Sequence, residues 1–198
     1  MNTGRASTRR LVMISMLSAC GLILFVFESF LPVLPWFRPG LGNIATILAL
    51  YLLDKEKNRT FTDSLFGDAL KVTVLRVVLG ALVLGRLFTP VFVFALSGGI
   101  ASALVMTVTL RLWGRIFGPI GVSVLGALAH NMVQLFVAYL FFVKSVEMFI
   151  FIPVFIATGV VTGNVTGLVA AIVLERGKAL LNDGCKFEVS SFKIKNPC

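Results

Sequence analysis

From Leu11 to about residue 175 the chain is a series of long apolar runs with short polar punctuation between them. The first run, Leu11 to Leu31, is 21 residues long, and about 20 residues of helix cross the hydrocarbon core of a bilayer. Leu31-Pro32 ends it, because a proline disfavours helical geometry in the residue before it. Three prolines and Trp36 then make residues 32–40 a stiff segment at a membrane interface. Later breaks fall at the charged stretch Asp54-Lys55-Glu56-Lys57-Asn58-Arg59, at Arg86 to Pro90, at Arg111 to Pro119 and around Lys144. The pattern predicts six helices, over about 9–31, 41–53, 65–85, 89–110, 119–142 and 147–174. The second is short for a span, since 13 residues make only about 20 Å of helix.

Composition strengthens the membrane reading. Apolar residues make up 58% of the chain and charged residues 14%, against about 25% charged in soluble domains. The excess apolar surface is more than one globular core can hold, and lipid is the simplest place for it. An all-α membrane protein follows, with a transmembrane domain over 1–175 and a basic tail over 176–198. A net charge of +9 would suggest nucleic acid in a soluble protein. Here no groove-binding motif or basic stripe supports that partner, and the cations lie in clusters between the apolar runs. Thirteen of them (Arg5, Arg9, Arg10, Lys55, Lys57, Arg59, Arg111, Arg115, Arg176, Lys178, Lys186, Lys193 and Lys195) fall on the side of the N-terminus, and three (Arg38, Arg86 and Lys144) on the other. The positive-inside rule places both ends in the cytoplasm of an inner membrane of bacterial type.

Leu17-Ser18-Ala19-Cys20 looks like a lipoprotein cleavage box behind Arg9-Arg10. The apolar run continues through Gly21 to Phe27, whereas a signal peptide is followed by polar sequence, so the segment reads as an uncut first span. Cys20, Cys185 and Cys198 form no CxxC pair and imply neither a disulfide framework nor a zinc site.

Polar groups within apolar spans carry the functional signal, because a charge at the bilayer centre costs roughly 2.5–3.5 kcal/mol on insertion scales. Arg76 lies about eleven residues into the third helix. A fixed cation there wants an anionic partner, either Glu28 of the first helix or a ligand with an anionic group, or else carbonyl contacts from a neighbouring helix. His130, Asn131 and Gln134 form a second polar group, with His130 and Gln134 on one face of the fifth helix. They read either as ligand contacts or as interhelical hydrogen bonds. Asn43 opens the second helix as a cap or a ligand contact, and Asn164 lies within the sixth. Lys71 and Asp68, three apart, read as a pair with each other or as snorkelling side chains. Gly159, Gly163 and Gly167, spaced by four, predict a close helix contact with a partner inside or outside the chain. Ser15 and Ala19 form a weaker small-residue stripe on the first helix.

No phosphate-binding lysine loop, GxSxG, HExxH or magnesium-holding acid cluster occurs in the sequence. A single histidine precludes a multi-histidine metal site, and no haem pair or cysteine cluster is present. The reading is a non-enzyme with no cofactor.

Three stretches resemble a bacterial family called the Gx transporter family, or heptaprenyl diphosphate synthase component I. They are Leu75-Arg76-Val77-Val78-Leu79-Gly80, then Ser97-Gly98-Gly99, and Gly121 to Leu135 with His130-Asn131-Met132-Val133-Gln134 inside it. Gly40-Leu41-Gly42-Asn43-Ile44 fits as well. That family is similar to the substrate-binding (S) components of energy-coupling factor transporters. The resemblance implies six spans with cytoplasmic ends, capture of a vitamin-like small molecule near the outer face, and partnership with a transmembrane coupling subunit and two ATPases. It also implies that small residues on the first helix, here Ser15 and Ala19, contact the coupling subunit. The expected ligand site lies in the outer half of the bundle and comprises Arg76, His130, Asn131, Gln134, Asn164, Asn43 and Trp36. The alternative is a non-catalytic membrane component of heptaprenyl diphosphate or quinone synthesis.

Overall fold

Six α-helices carry the described part of the chain. The computed structural model describes residues 3–30, 40–53, 67–114, 116–144 and 146–192. The expectations for Trp36, the proline-rich segment 32–39 and the charged stretch 54–59 lie outside them. We number the helices α1 (Thr3–Ser29), α2 (Asn43–Leu53), α3 (Asp68–Val83), α4 (Pro90–Trp113), α5 (Pro119–Ala138) and α6 (Ile152–Phe192). No strand occurs among the described residues.

Helix boundaries follow local chemistry. α4 and α5 each begin on a proline at the first helical position, where a missing N–H costs nothing. α3 ends in a Schellman turn. Gly85 takes φ +63 and donates to the Leu82 carbonyl at 3.1 Å, while Arg86 N–H reaches Ala81 O at 2.8 Å. Glycine suits this left-handed position because a β-carbon is penalised there. α5 runs into a π-helical turn at Tyr139–Val143 and stops at Lys144 in left-handed geometry, and a 3-10 turn (Val146–Phe151) leads into α6.

Four segments are long and apolar enough to cross a membrane: Arg10–Ser29, Pro90–Trp113, Pro119–Phe141 and Glu147–Gly177. The chain is a multi-pass membrane protein. α2 and α3, at 11 and 16 residues, are shorter than the roughly 20 that span the core. The structure also explains why α2 can be short. Every residue from Asn43 to Leu50 is buried, so the helix sits inside the bundle against protein and not against lipid. Ile44, Ile47, Leu48 and Leu50 pack there with Val72, Met106, Val122, Ala170 and Leu174 in the main core. A smaller apolar cluster, Phe25, Val77 and Ala95, joins the ends of α1 and α3 to the start of α4, with Leu84, Phe92 and Leu96 against it. The outward faces of α1 and α6, including Met16, Ile23, Phe27, Val161, Val165 and Leu168, are exposed and apolar. They are the surface that lipid covers.

The sixth helix runs further than its apolar stretch. The tail from residue 176 is helical, since α6 continues to Phe192. No proline interrupts it before Pro197, and a polar sequence of this kind leaves the lipid without leaving the helix. Asp68 pairs with Lys71 as expected and has a second, closer partner. Arg10 of α1 holds its carboxylate through Nε and Nη2 at 2.5 and 2.7 Å, and Lys71 stands at 3.8 Å. The bidentate bond ties α1 to the start of α3 at the end where the cations cluster. Asp68→Asn is expected to lower stability by about 1–3 kcal/mol, read as a lower unfolding midpoint in detergent.

Candidate functional site

The buried polar groups assemble at the level where α1 ends and α2 begins. Gly40 takes φ +71, a conformation that L side chains rarely adopt, and its N–H donates to Glu28 Oε1 at 2.6 Å. Two residues on, Gly42 admits the guanidinium of Arg76: a β-carbon there would run into Nη1. Asn43 then accepts from Arg76 Nη2 through Oδ1 at 2.8 Å. The short stretch Gly40-Leu41-Gly42-Asn43 is therefore a cradle, and Asn43 supports the cation with the oxygen that a cap would have used. On α1, Gly21 makes room for the stem of the same side chain, with Arg76 Cδ 3.0 Å from where a β-carbon would stand. Gly42→Ala is expected to displace the guanidinium and lower stability by about 1–3 kcal/mol, measured as an unfolding midpoint.

Arg76 and Glu28 are both buried and act on each other electrostatically. The direct partner of Arg76 is the Asn43 side-chain carbonyl, and Glu28 stands near enough to favour the cation without a direct bond to it. With His130 of α5, Gly40, Phe25, Val77 and Ala95, Arg76 and Glu28 line a cavity of only about 10 Å³, room for about one water. The apolar cluster of Phe25, Val77 and Ala95 forms one wall of it. Phe25 in turn lies where a β-carbon on Gly80 would stand.

α5 adds its polar face across α4. His130 and Gln134 occupy the space that Gly98 leaves, with His130 Nδ1 at 2.9 Å and Gln134 Cγ at 3.1 Å from a β-carbon built there. Gln134 is buried, and neither its Oε1 nor its Nε2 has a hydrogen-bond partner. Arg76 Nε is likewise buried without a partner. Buried amides and guanidinium nitrogens are normally satisfied, so these atoms mark the cluster as polar capacity held in reserve.

Not every expected residue joins the cluster. Asn131, one position from His130, faces the other way and donates through Nδ2 to Phe155 O of α6 at 2.9 Å. Asn164 is exposed on the outer face of α6 and bonds its own Val160 carbonyl at 2.8 Å, so it takes no part. The helix rotates each residue by about 100°, and the polar pattern alone did not set the phase. The glycine stripe of α6 is used inside the chain and not for another subunit. Positions 159, 163 and 167 face α5, where a β-carbon on Gly163 would stand 2.6 Å from Val124 Cα and one on Gly167 2.7 Å from Ile120 Cα. Ser123 and Thr166 bond across the same seam at 2.7 Å. Ser15 and Ala19, by contrast, are exposed on α1.

Sequence reasoning named Arg76, His130, Gln134 and Asn43, and gave Glu28 as a possible counter-charge. It missed the work of Gly21, Gly42 and Gly98. The signal for them was a set of glycines in otherwise well-formed apolar helices or just ahead of one, each on a segment facing a long polar side chain.

The model of one protein family, described as heptaprenyl diphosphate synthase component I, matches residues 17–173. The chain belongs to this family. No curated protein and no solved structure gives a significant match. The matched span of heptaprenyl diphosphate synthase component I contains every member of the buried cluster, from Gly21 and Glu28 to Gln134, and ends just before the tail.

Proposed function

We propose that this chain is the substrate-capture subunit of a small-molecule importer of the energy-coupling-factor type. The six helices form one bundle in a bacterial inner membrane with both ends cytoplasmic, and the positive-inside bias supports that orientation. The observation that carries the reading is a set of buried polar groups inside an apolar bundle: Arg76, Glu28 and His130 around a closed cavity, with Asn43 and Gln134 beside it. Such groups are expensive at membrane depth and mark substrate sites. A chamber with room for about one water in this state binds a ligand by opening, so the ligand shifts the balance between closed and open arrangements. The sequence has no phosphate-binding loop, and partner ATPases supply the energy through a transmembrane coupling subunit. The exposed Ser15 and Ala19 on α1 suit the contact with that subunit, since small residues let helices approach.

A second reading has the family's description in its favour: a non-catalytic membrane component of heptaprenyl diphosphate synthase. Purification of the tagged chain from native membranes in mild detergent separates the two. Co-purifying ATPases and a membrane coupling subunit support the importer, and a soluble prenyltransferase in their place refutes it. Ser15→Leu with Ala19→Leu is expected to abolish recovery of the coupling subunit while leaving the unfolding midpoint unchanged.

A further inference from the structure

We propose that the molecule held by this cluster is uncharged and planar, and presents a hydrogen-bond donor and acceptor side by side, as an amide, lactam or pyrimidine-dione edge does. The inference rests on the reading of the cluster as a ligand site and adds the chemical class of the ligand.

Two independent observations lead to it. The first is charge. Arg76 is the cation of the cavity, but the Glu28 carboxylate lines the same small cavity, and Asn43 takes one of the Arg76 N–H groups. A cation so placed exerts little demand for a further anion, and an anionic ligand would meet the Glu28 carboxylate in a medium that screens poorly. The second is Gln134. It is among the largest fully buried side chains of the protein, yet its carboxamide oxygen and nitrogen both lack partners. A carboxamide offers one acceptor and two donors in a plane. Its natural complement is a second donor and acceptor pair in the same plane, the arrangement by which glutamine reads an adenine edge. A carboxylate or phosphate ligand could accept from Nε2 but would leave Oε1 facing an acceptor.

Gly98 gives the position its shape. The missing β-carbon lets Gln134 and His130 lie side by side against α4, and His130 reaches the cavity wall. Gln134 itself stands beside His130, outside the lining of the closed cavity, and the ligand edge meets it between α4 and α5 when the cavity opens. The unpartnered Arg76 Nε supplies a further donor.

The test compares the full-length wild-type protein with Gln134→Leu and Gln134→Met, each purified from the same membranes. Small molecules are extracted and identified by mass spectrometry, and unfolding midpoints are measured on the stripped proteins. The wild type is expected to yield a neutral compound carrying an amide-type edge, with recovery lower by about ten-fold or more in both variants. The stripped variants should unfold at the same or a higher temperature than the stripped wild type, because an unsatisfied amide has been removed. Equal recovery from the variants overturns the assignment of Gln134 and leaves the ligand site standing. So does a bound compound that is an anion without a donor and acceptor edge. A wild type that carries no small molecule overturns the ligand site itself.

Discussion

Arg76→Met is expected to destabilise the protein by about 3–5 kcal/mol. The substitution removes the cation but leaves the Glu28 carboxylate buried beside a cavity too small for more than one water. Gly40 N–H still reaches Glu28 Oε1, but a backbone dipole replaces a full charge poorly. Asn43 Oδ1 loses its donor at the same time. A sharper outcome is expected of the double variant. Arg76→Met with Glu28→Gln removes both charges and should recover most of the loss, because a buried ion pair contributes little over a neutral replacement of the same shape. Equilibrium unfolding in detergent micelles with a graded denaturing detergent measures both. If the double variant is as unstable as the single one, Glu28 is not the counter-charge.

The second large effect is expected at Gly163→Leu. An added β-carbon would stand 2.6 Å from Val124 Cα and 3.1 Å from Val124 N, and backbone atoms of a helix cannot turn aside as a side chain can. α6 must then move away from α5 as a unit, at a cost of about 3 kcal/mol, the upper range for overpacking. The neighbouring glycines make graded controls. At Gly159 the nearest atoms are Asn131 Nδ2 and Leu128 Cδ2, both at 3.1 Å, and both are side-chain ends, so Gly159→Ala should be milder. Displacing α5 also disturbs His130 and Gln134, so ligand content should fall along with stability in Gly163→Leu. Asn164→Leu should change neither, since its side chain is exposed on the far face and bonds only within its own turn. Unfolding midpoints and ligand content per chain, measured on the same preparations, check all three.

The sequence disclosed the helices because hydropathy reports burial in lipid or protein without distinguishing them. Four of the six helices begin within three residues of the predicted starts; α1 begins earlier, at Thr3, where a polar leader joins the helix, and α6 begins at Ile152 behind a 3-10 turn. The same indifference hid the place of α2, whose apolar run reads as a short span but is buried inside the bundle from Asn43 to Leu50. Hydropathy also ended the sixth helix at 174, whereas the backbone continues helical to Phe192.

At the site, charge was the legible part. Arg76 stood out because nothing in a lipid-facing role explains it, and His130 with Gln134 shared a face by simple helical periodicity. Direction was not legible. Asn131 and Asn164 belong to equally polar patterns, yet one bonds Phe155 of α6 and the other faces outward. Which way a helix turns depends on the partners it packs against, here the glycines of α6 against the backbone of α5. Glycine roles were hidden for a related reason, since a missing β-carbon gains meaning only when the side chain filling its space is known.

The most direct test is native mass spectrometry of the intact chain released from detergent micelles. Wild-type protein should carry one small molecule per chain. Arg76→Met with Glu28→Gln, folded but with its cluster discharged, should carry none. A wild type that shows only the bare chain, or a double variant that retains the same adduct in the same proportion, would contradict the claim that these buried polar groups form a ligand chamber.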